Sequence, residues 1–479
     1  MQKMTTPVHQ PNTVVRIALT ACLMATGIGA RVSGSEPEAL AKPGRQPNII
    51  VFLADDMGYA DAGYMGGKDI QTPNLDKLAR GGAILTSLYV QPVCSPTRAC
   101  LMTGRYVSHT GVYDVVRPNA PWGLPLKERT LAHALGEAGY QTSICGKWHL
   151  GEFQPAYQPT RRGFGHQYGP WFGSIDYFTH QRDGQHDWHR NDQPCHAKGY
   201  ATHLLAAEAC RWIAQSQAEK PLFLYLPFNA VHAPLQVPPK YLQPYAKLPS
   251  KRRAYAGMVA AMDEAVGQVF DALGKKGILD NTLILFSSDN GGADPGRTTD
   301  NGPLPAGKGT LYEGGIRTCG FATWPDRIKA GITISEPLHT VDWYPTLVRL
   351  AGGTPEQKLP LDGQDIWPVL TQGARSTRES LLLCGRSPEQ RAIRMGNWKL
   401  IVDASDKGAR EARNTTAANG KIALYDLASD LGEKNNVAAQ NPDVVKRLHA
   451  KLNELMKTSV PPASGVAPDV NTRKKAGRS

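Results

Sequence analysis

Three features of the chain predict an α/β fold: a large, mostly parallel or mixed sheet sandwiched by helices, with a small C-terminal α+β subdomain. Short β-branched runs at 48–53 (NIIVFL), 221–227 (PLFLYLP) and 282–288 (TLILFSS) alternate with longer amphipathic stretches, the pattern of strands buried on both faces and joined by crossover helices. Polar residues collect just after these runs, as ligand-binding residues do at the carboxyl ends of strands in open α/β sheets. After about residue 375 the texture changes, and 392–402 (AIRMGNWKLIV) and 421–427 (KIALYDL) read as strands of a small antiparallel sheet followed by a helix at 442–457.

Taken in order, Lys3 and Arg16 precede an uncharged apolar run from Ile17 to Ala30. Fourteen residues are too few to span a bilayer, and the small residues Gly27, Gly29 and Ala30 suit a signal peptidase. Residues 1–30 therefore read as a signal peptide, and the mature protein is expected to be exported, periplasmic or secreted. Leu19 to Cys22 resembles a lipoprotein box, but Arg16 lies too close to leave an apolar stretch before it. The first strand, 48–53, delivers Asp55 and Asp56. A helix capped by Thr72 is predicted at 73–81 and a strand at 84–89. Further helices are expected near 95–103, 129–138, 202–217, 252–274 and 341–351, and a further strand at 140–145. Residues 155–200 form a long loop region rich in aromatic residues and histidine, suited to substrate contact. The boundaries expected are a catalytic domain at 45–375, the C-terminal subdomain at 376–460 and a basic flexible tail at 461–479.

The chain has 479 residues, 41% hydrophobic and 20% charged, which provides for a sizeable core and excludes a disordered chain. Its net charge is +12, and charge alone does not choose among nucleic acid, anionic lipid and a polyanionic substrate. Lys and Arg are spread along the sequence, and the one dense basic run, Arg473 to Arg478, belongs to the tail, so no nucleic-acid partner and no stable membrane span are expected. Beyond residue 30 seven cysteines remain: Cys94, Cys100, Cys145, Cys195, Cys210, Cys319 and Cys384. The odd count in an exported chain means at least one thiol is unpaired or consumed by other chemistry.

Asp55 and Asp56 after one strand, with Asp289 and Asn290 after another, offer four hard oxygen donors, a set suited to Ca²⁺ or Mg²⁺ and not to zinc. Lys147 and His149 follow strand 140–145, His232 follows 221–227, and Lys308 lies in the Gly-rich stretch AGKGTLYEGGIR. Cations grouped with a divalent metal imply an anionic substrate.

Cys94-Ser95-Pro96-Thr97-Arg98, continued by Ala99-Cys100-Leu101-Met102-Thr103-Gly104-Arg105, resembles the signature of the type I sulfatases. These are the formylglycine-dependent enzymes of the alkaline-phosphatase superfamily. A second stretch, Gly139 to His149, resembles that family's second signature and departs from it at Cys145, where a small aliphatic residue or Ser is usual. The resemblance runs from about Asn48 into the C-terminal subdomain. It implies that Cys94 is oxidised to formylglycine by a formylglycine-generating enzyme. It also implies that Asp55, Asp56, Asp289 and Asn290 hold Ca²⁺ beside residue 94, and that a hydroxyl of the aldehyde hydrate attacks the sulfur of a sulfate ester. Arg98 would stabilise that hydrate, and Lys147 and Lys308 would bind sulfate oxygens. His232 would protonate the leaving alcohol, and His149 would deprotonate the second hydroxyl. Conversion of Cys94 would leave six cysteines, an even number.

The expected substrate is a sulfated small molecule or glycan. Ser174 and Asp176, with Trp171, Tyr177, His180, His186, Trp188 and His189 nearby in sequence, are candidate substrate contacts. Two other readings are a phosphate or phosphonate ester hydrolase of the same superfamily and a non-enzymatic module that binds sulfated glycans.

Overall fold

The computed structural model describes residues 45–402 and 422–465; the signal segment, Cys22 and the tail from residue 466 lie outside the described residues. A ten-stranded sheet takes up β1 (Asn48–Ala54), β2 (Ala83–Leu85), β3 (Gln141–Cys145), β4 (His166–Gly169), β5 (His189–Arg190), β6 (Gln193–Pro194), β7 (Leu222–Pro227), β8 (Thr282–Ser288), β9 (Gly320–Thr323) and β10 (Ile332–Ile334). Across the sheet the order is β10-β2-β9-β8-β1-β7-β3-β4-β5-β6. The stretch β8-β1-β7-β3-β4 is parallel, with Ile50 opposite both Leu224 and Ile284. The strand β9 runs antiparallel to β8 and β2, and the hairpin β5-β6 closes the other side antiparallel to β4. The sheet is thus mixed around a parallel centre.

Alternation along β1 shows why the sheet is covered twice. Ile50 and Phe52 face a core closed by α1 (Pro73–Arg80) and, later in the chain, the helices Ala201–Gln215 and Ser250–Lys276. Ile49, Val51 and Leu53 face a second core built with α2 (Cys94–Thr103), α3 (Leu131–Glu137) and the helix Trp343–Leu350. The three later helices are α4 (Ala201–Gln215), α5 (Ser250–Lys276) and α6 (Trp343–Leu350). Side chains alternate between faces of a strand, so an unbroken apolar run supplies both cores at once.

The C-terminal part is a four-stranded antiparallel sheet, β11 (Leu381–Cys384), β12 (Arg391–Met395), β13 (Trp398–Val402) and β14 (Ile422–Asp426), followed by α7 (Pro442–Met456). One face, with Leu382, Ile393 and Leu400, packs on Leu448 and Leu452 of α7 and on Cys100 of α2. The other, with Leu383, Ala392 and Ile401, packs on Leu311, Tyr312 and Ile316. Both contacts reach the segments that bear Cys94 and Lys308.

Several local expectations change in detail. Thr72 does not cap α1 with its side chain: Oγ1 accepts from Gly63 N and donates to Asp76 Oδ1, both at 2.9 Å. The run 84–89 is broken, because Ala83–Leu85 joins the large sheet while Leu88–Tyr89 pairs with Arg317–Thr318 and Leu338–His339 in a separate three-stranded sheet. The run 392–402 is a hairpin, turned at Gly396 with φ +57°, a backbone conformation that glycine adopts without steric cost. None of the seven cysteines from Cys94 to Cys384 is in a disulfide. No described helix is long and apolar enough to cross a membrane.

Candidate active site

Four adjacent strands deliver the site. Asp289 and Asn290 leave β8, Asp55 and Asp56 leave β1, His232 lies beyond β7, and Lys147 and His149 lie beyond β3. Cys94 opens α2 with Val93 extended before it, which points the unpaired N–H groups of a helix start toward the same region. Lys308 arrives from a turn whose backbone is locked to the β8 loop. Lys308 N donates to Gly292 O at 3.1 Å and Gly291 N to Gly315 O at 3.1 Å. A Cβ on Gly291 would lie 1.7 Å from Gly314 O, so these two segments approach only because that position carries no side chain.

Side chains of Asp55, Asp56, Asp289 and Cys94 present ligand atoms that all lie within 4.8 Å of one another. Cys94 Sγ donates to Asp55 Oδ1 at 3.4 Å. Lys308 Nζ donates to Asp56 Oδ2 at 2.8 Å and lies 3.6 Å from Cys94 Sγ. Lys147 pairs with Asp55. Arg98, fully buried, gives Nε and Nη2 to Asp289 Oδ2 at 3.1 and 2.8 Å and Nη1 to the Lys147 carbonyl at 2.8 Å. The guanidinium is therefore occupied beneath the carboxylates, organising Asp289 and the Lys147 backbone.

These residues fit a divalent cation. Asn290 Nδ2 donates to Asp56 Oδ1 and Gly291 O, while Asn290 Oδ1 is buried with no hydrogen-bond partner among the described residues. An orphaned buried acceptor carries a desolvation cost that a cation would relieve. Three carboxylates face three cations, Arg98, Lys147 and Lys308. A divalent ion would therefore leave the cluster positive overall and ready for an anion.

The cluster also sets its own protonation. Burial opposes ionisation of Asp55, but Lys147, His232, Arg98 and Lys308 outweigh it and hold that carboxyl well below its usual range. Burial and the neighbouring Asp55 charge push Asp289 up. Burial works against the charge on Lys308, yet Asp56 and its neighbours raise its pKa. The Cys94 thiol is pushed up by burial and then by Asp289 and Asp55, so as a thiol it is a poor nucleophile. Burial, with Lys147 and Arg98 nearby, drives His149 far below the ordinary histidine value and keeps its ring neutral.

His149 has φ +59° and a buried Nδ1 without a hydrogen-bond partner among the described residues. Its carbonyl accepts from Ser95 Oγ at 2.8 Å, tying it to the start of α2. Its ring lies against Gly173, where a Cβ would come within 2.4 Å of Cε1 and Nε2. His232 donates Nδ1–H to the Ala233 carbonyl at 2.6 Å and turns Nε2 to within 3.6 Å of Asp56 Oδ2. Because a carbonyl only accepts, that contact fixes a proton on Nδ1 and leaves Nε2 for exchange.

The 155–200 region is packed more tightly than its composition suggested. Tyr177, His180 and Trp188 are buried, and Trp171 stacks on His189 with ring centroids 3.6 Å apart. Tyr177 Oη donates to Asn229 O at 2.6 Å and His232 O at 2.9 Å, bracing the His232 loop from behind. Asp176 ends a turn: Oδ1 accepts from the N–H groups of Phe178 and Thr179, and Oδ2 from Gln236 Nε2. Burial, the largest single influence, pushes the Asp176 carboxyl up, but these bonds together outweigh it and hold it down at about 2. Half-buried Ser174 directly follows the glycine that faces His149. The sequence reading missed Gln91, whose N–H donates to Thr97 Oγ1 and whose amide meets the buried His339, a brace for α2 with no motif to mark it.

Residues 47–353 match the family model for sulfatases. The chain belongs to the sulfatase family. It is 38% identical to mouse Arylsulfatase J over 89% of this chain and 78% of that protein, and 33% identical to dog N-acetylgalactosamine-6-sulfatase over 92% and 89%. The crystal structure of Ps i-CgsB in complex with k-i-k-neocarrahexaose superposes on 87% of this sulfatase and 94% of that chain, with a TM-score of 0.80 at 32% identity. The sulfatase thus carries the mixed sheet, flanking helices and C-terminal antiparallel sheet of its structural neighbours. Its activity is the hydrolysis of sulfate esters.

Proposed function

We propose that this sulfatase removes sulfate from a carbohydrate sulfate ester, using residue 94 as formylglycine and a Ca²⁺ ion held by Asp55, Asp56, Asp289 and Asn290. The observation that carries the reading is Cys94 itself, buried at the start of α2, 3.4 Å from Asp55 Oδ1 and 3.6 Å from Lys308 Nζ, inside a cluster of oxygen donors. Cys94 Sγ marks the position that the formylglycine oxygens would take. Oxidised to the aldehyde and hydrated, residue 94 supplies a hydroxyl nucleophile that the thiol cannot match. A bound Ca²⁺, with Mg²⁺ as the other candidate, supplies Lewis acidity at that position.

The chain's own residues perform the remaining work. Lys147 and Lys308 bind the sulfate oxygens as charge grows on them. Arg98 positions Asp289 and the Lys147 backbone and offsets the carboxylate charge. His232 Nε2, 3.6 Å from Asp56 Oδ2, delivers a proton to the leaving alcohol. His149, kept neutral by burial and Lys147, accepts a proton from the second hydroxyl of residue 94. Carbohydrate is favoured over a simple aryl ester by two neighbours, one named for N-acetylgalactosamine 6-sulfate and one solved with a neocarrahexaose. The uncharged run at 17–30 supports export, and maturation then requires a formylglycine-generating enzyme before the chain folds around Cys94.

Expression with and without that enzyme tests the reading. Peptide mass spectrometry is expected to find aldehyde or hydrate at residue 94 in active protein, and Cys94→Ala is expected to lose turnover of 4-nitrophenyl sulfate. Full activity with an unmodified thiol would overturn it.

A further inference from the structure

His149 lies where the chain has left β3, with φ +59°, and no hydrogen bond to its buried Nδ1 orients the ring among the described residues. Backbone holds it instead. Trp148 N donates to Pro170 O at 3.1 Å and His149 N to Trp171 O at 3.0 Å, so residues 170–171, just beyond β4, run alongside it. Gly173 then lies against the ring, where even a Cβ would come within 2.4 Å of Cε1 and Nε2. Two N–H groups of this same segment converge on one side chain. Asp187, just ahead of β5, accepts from Trp171 N on Oδ1 at 2.9 Å and from Phe172 N on Oδ2 at 2.7 Å. Its carboxyl is fully buried. Among the described residues its one ion-pair contact is His189 Nδ1 at 3.5 Å, on a ring that burial and then His186 hold down at about 4 and so uncharged near neutral pH. A buried carboxylate without a charged partner is costly, which leaves the two backbone N–H groups to compensate it.

We infer that Asp187 is a positioning residue for His149: by clamping the Trp171 and Phe172 N–H groups it fixes the backbone that hydrogen-bonds His149 and seats its ring. The inference rests on the proton-accepting role proposed for His149 and goes beyond it, because Asp187 makes no hydrogen bond or ion pair with the cluster around Cys94. The clamp also carries a pH dependence. A carboxylate accepts both bonds with charge assistance, whereas a protonated carboxyl must turn its O–H toward one of the two N–H groups. Burial pushes Asp187 up to about 7 against the pull of those N–H groups and of Arg182, so the clamp loosens as pH falls through that value. The charged and titratable groups around it are His189, Arg182 and Glu152, whose own carboxyl burial and then Asp187 push up to about 7 against the Asn119 N–H.

The test reads His149 in two ways. The first is NMR of histidine-labelled protein made without the formylglycine-generating enzyme, with the His149 signal assigned by its loss in His149→Ala. Because His149 stays neutral far below the ordinary histidine value, a shift of its ring signal around pH 7 reports a neighbour. Such a step is expected, and it is expected to vanish in Asp187→Asn, whose amide offers a single oxygen to the two N–H groups at every pH. The second is the kcat–pH profile of the matured enzyme on 4-nitrophenyl sulfate, whose phenolate needs no proton from His232. The profile is expected to fall as pH drops below 7. Asp187→Asn is expected to remove that limb and to lower kcat about tenfold at pH 8 with KM within about twofold, since Lys147 and Lys308 keep their partners Asp55 and Asp56. The absence of a step near pH 7 in the unmutated protein overturns the inference without any variant. So does a step or an acid limb that persists in Asp187→Asn, which would belong to Glu152. A lower melting temperature with unchanged kcat and an unmoved His149 signal would likewise make Asp187 purely structural. Full activity in His149→Ala instead strikes the proposed role of His149 beneath it.

Discussion

Lys399, on β13, holds its ammonium 3.0 Å from the carboxylate of Glu313, the residue that opens the helical turn after Lys308. Glu433 completes the contact, 2.7 Å from Lys399 Nζ and accepting the Glu313 N–H at 2.6 Å. Tyr89 Oη adds a donor to Glu313 Oε2 at 2.6 Å. All of these side chains are buried. The C-terminal sheet thus fixes the turn that presents Lys308 through a dry charge network, which makes it part of the active-site scaffold.

Removing the ammonium should expose that dependence. Lys399→Met leaves Glu433 facing Glu313 with no cation between them and only Arg317, 3.4 Å from Glu313 Oε2, as a remaining ion-pair partner, and breaking a buried pair in this way typically costs about 3–5 kcal/mol. A lower unfolding midpoint in urea is expected. Displacement of Lys308 should also raise KM for sulfate esters, whereas purely global destabilisation would leave KM unchanged in the fraction that remains folded.

The same network predicts a pH dependence of stability. Burial and the facing Glu313 push Glu433 up to about 7 although Lys399 pulls it down. A carboxyl with a raised folded-state pKa binds its proton more tightly in the native state, so its contribution to stability falls as pH rises from its unfolded value of 4.5 to about 7. Glu313 is shifted the other way, with burial outweighed by Lys399 and Arg317, and its contribution is complete by the bottom of that window. Between pH 5 and 7.5 the melting temperature of Glu433→Gln should therefore rise relative to that of the unmutated protein. Parallel melting curves across that interval would count against the assignment.

For the cation, the expectation follows from Asn290 Oδ1 and the three carboxylates around it. Chelation should lower the melting temperature as well as abolish turnover, and Ca²⁺ or Mg²⁺ should restore both better than Zn²⁺. Asp56→Asn should weaken the thermal shift on Ca²⁺ addition. A melting curve indifferent to chelator and ion would remove the metal from these residues.

How far the chain could be read without coordinates depended on how local each signal is. The runs 48–53, 221–227 and 282–288 are buried on both faces, so composition alone marks them, and the strand ends carry Asp55, Asp289 and His232 into one place. Thr72 misled because a Ser/Thr before a proline-led helix also serves nearby backbone, here Gly63 N. The strand Ile332–Ile334 is only three residues long and defined by its partner β2, so nothing in its own composition announces it. The Glu313, Lys399 and Glu433 contact joins segments far apart in sequence, and a lone charged residue in each reads as surface until the fold buries it. The ring-rich 155–200 region looked like a binding surface because aromatic content does not say which way a ring faces.

Gly173 offers a test of His149 that does not touch the histidine. Gly173→Ala would place a Cβ 2.4 Å from the imidazole Cε1 and Nε2, and the ring must move aside. A displacement near 1 Å in a catalytic group can cost on the order of 100-fold, so kcat should fall with little change in KM or in Ca²⁺-dependent melting. Unchanged kcat would mean that His149 has no positional role.

His232 makes the last prediction, because its geometry fits a proton donor and nothing else nearby repeats it. Nδ1 is committed to the Ala233 carbonyl, Nε2 faces Asp56, and the ring is part-exposed. A general acid contributes about 10²–10⁴-fold where the leaving group needs a proton. His232→Ala should thus lose that much on a sugar sulfate, whose alkoxide is a poor leaving group. It should lose far less on 4-nitrophenyl sulfate, whose phenolate leaves unaided. His149→Ala, altering a step that does not involve the leaving alcohol, should lose activity on both substrates to a similar degree. Measured side by side, the two variants separate the roles. If His232→Ala lost equally on both esters, the proton for the leaving alcohol would have to come from Lys308, the other group that Asp56 holds beside Cys94.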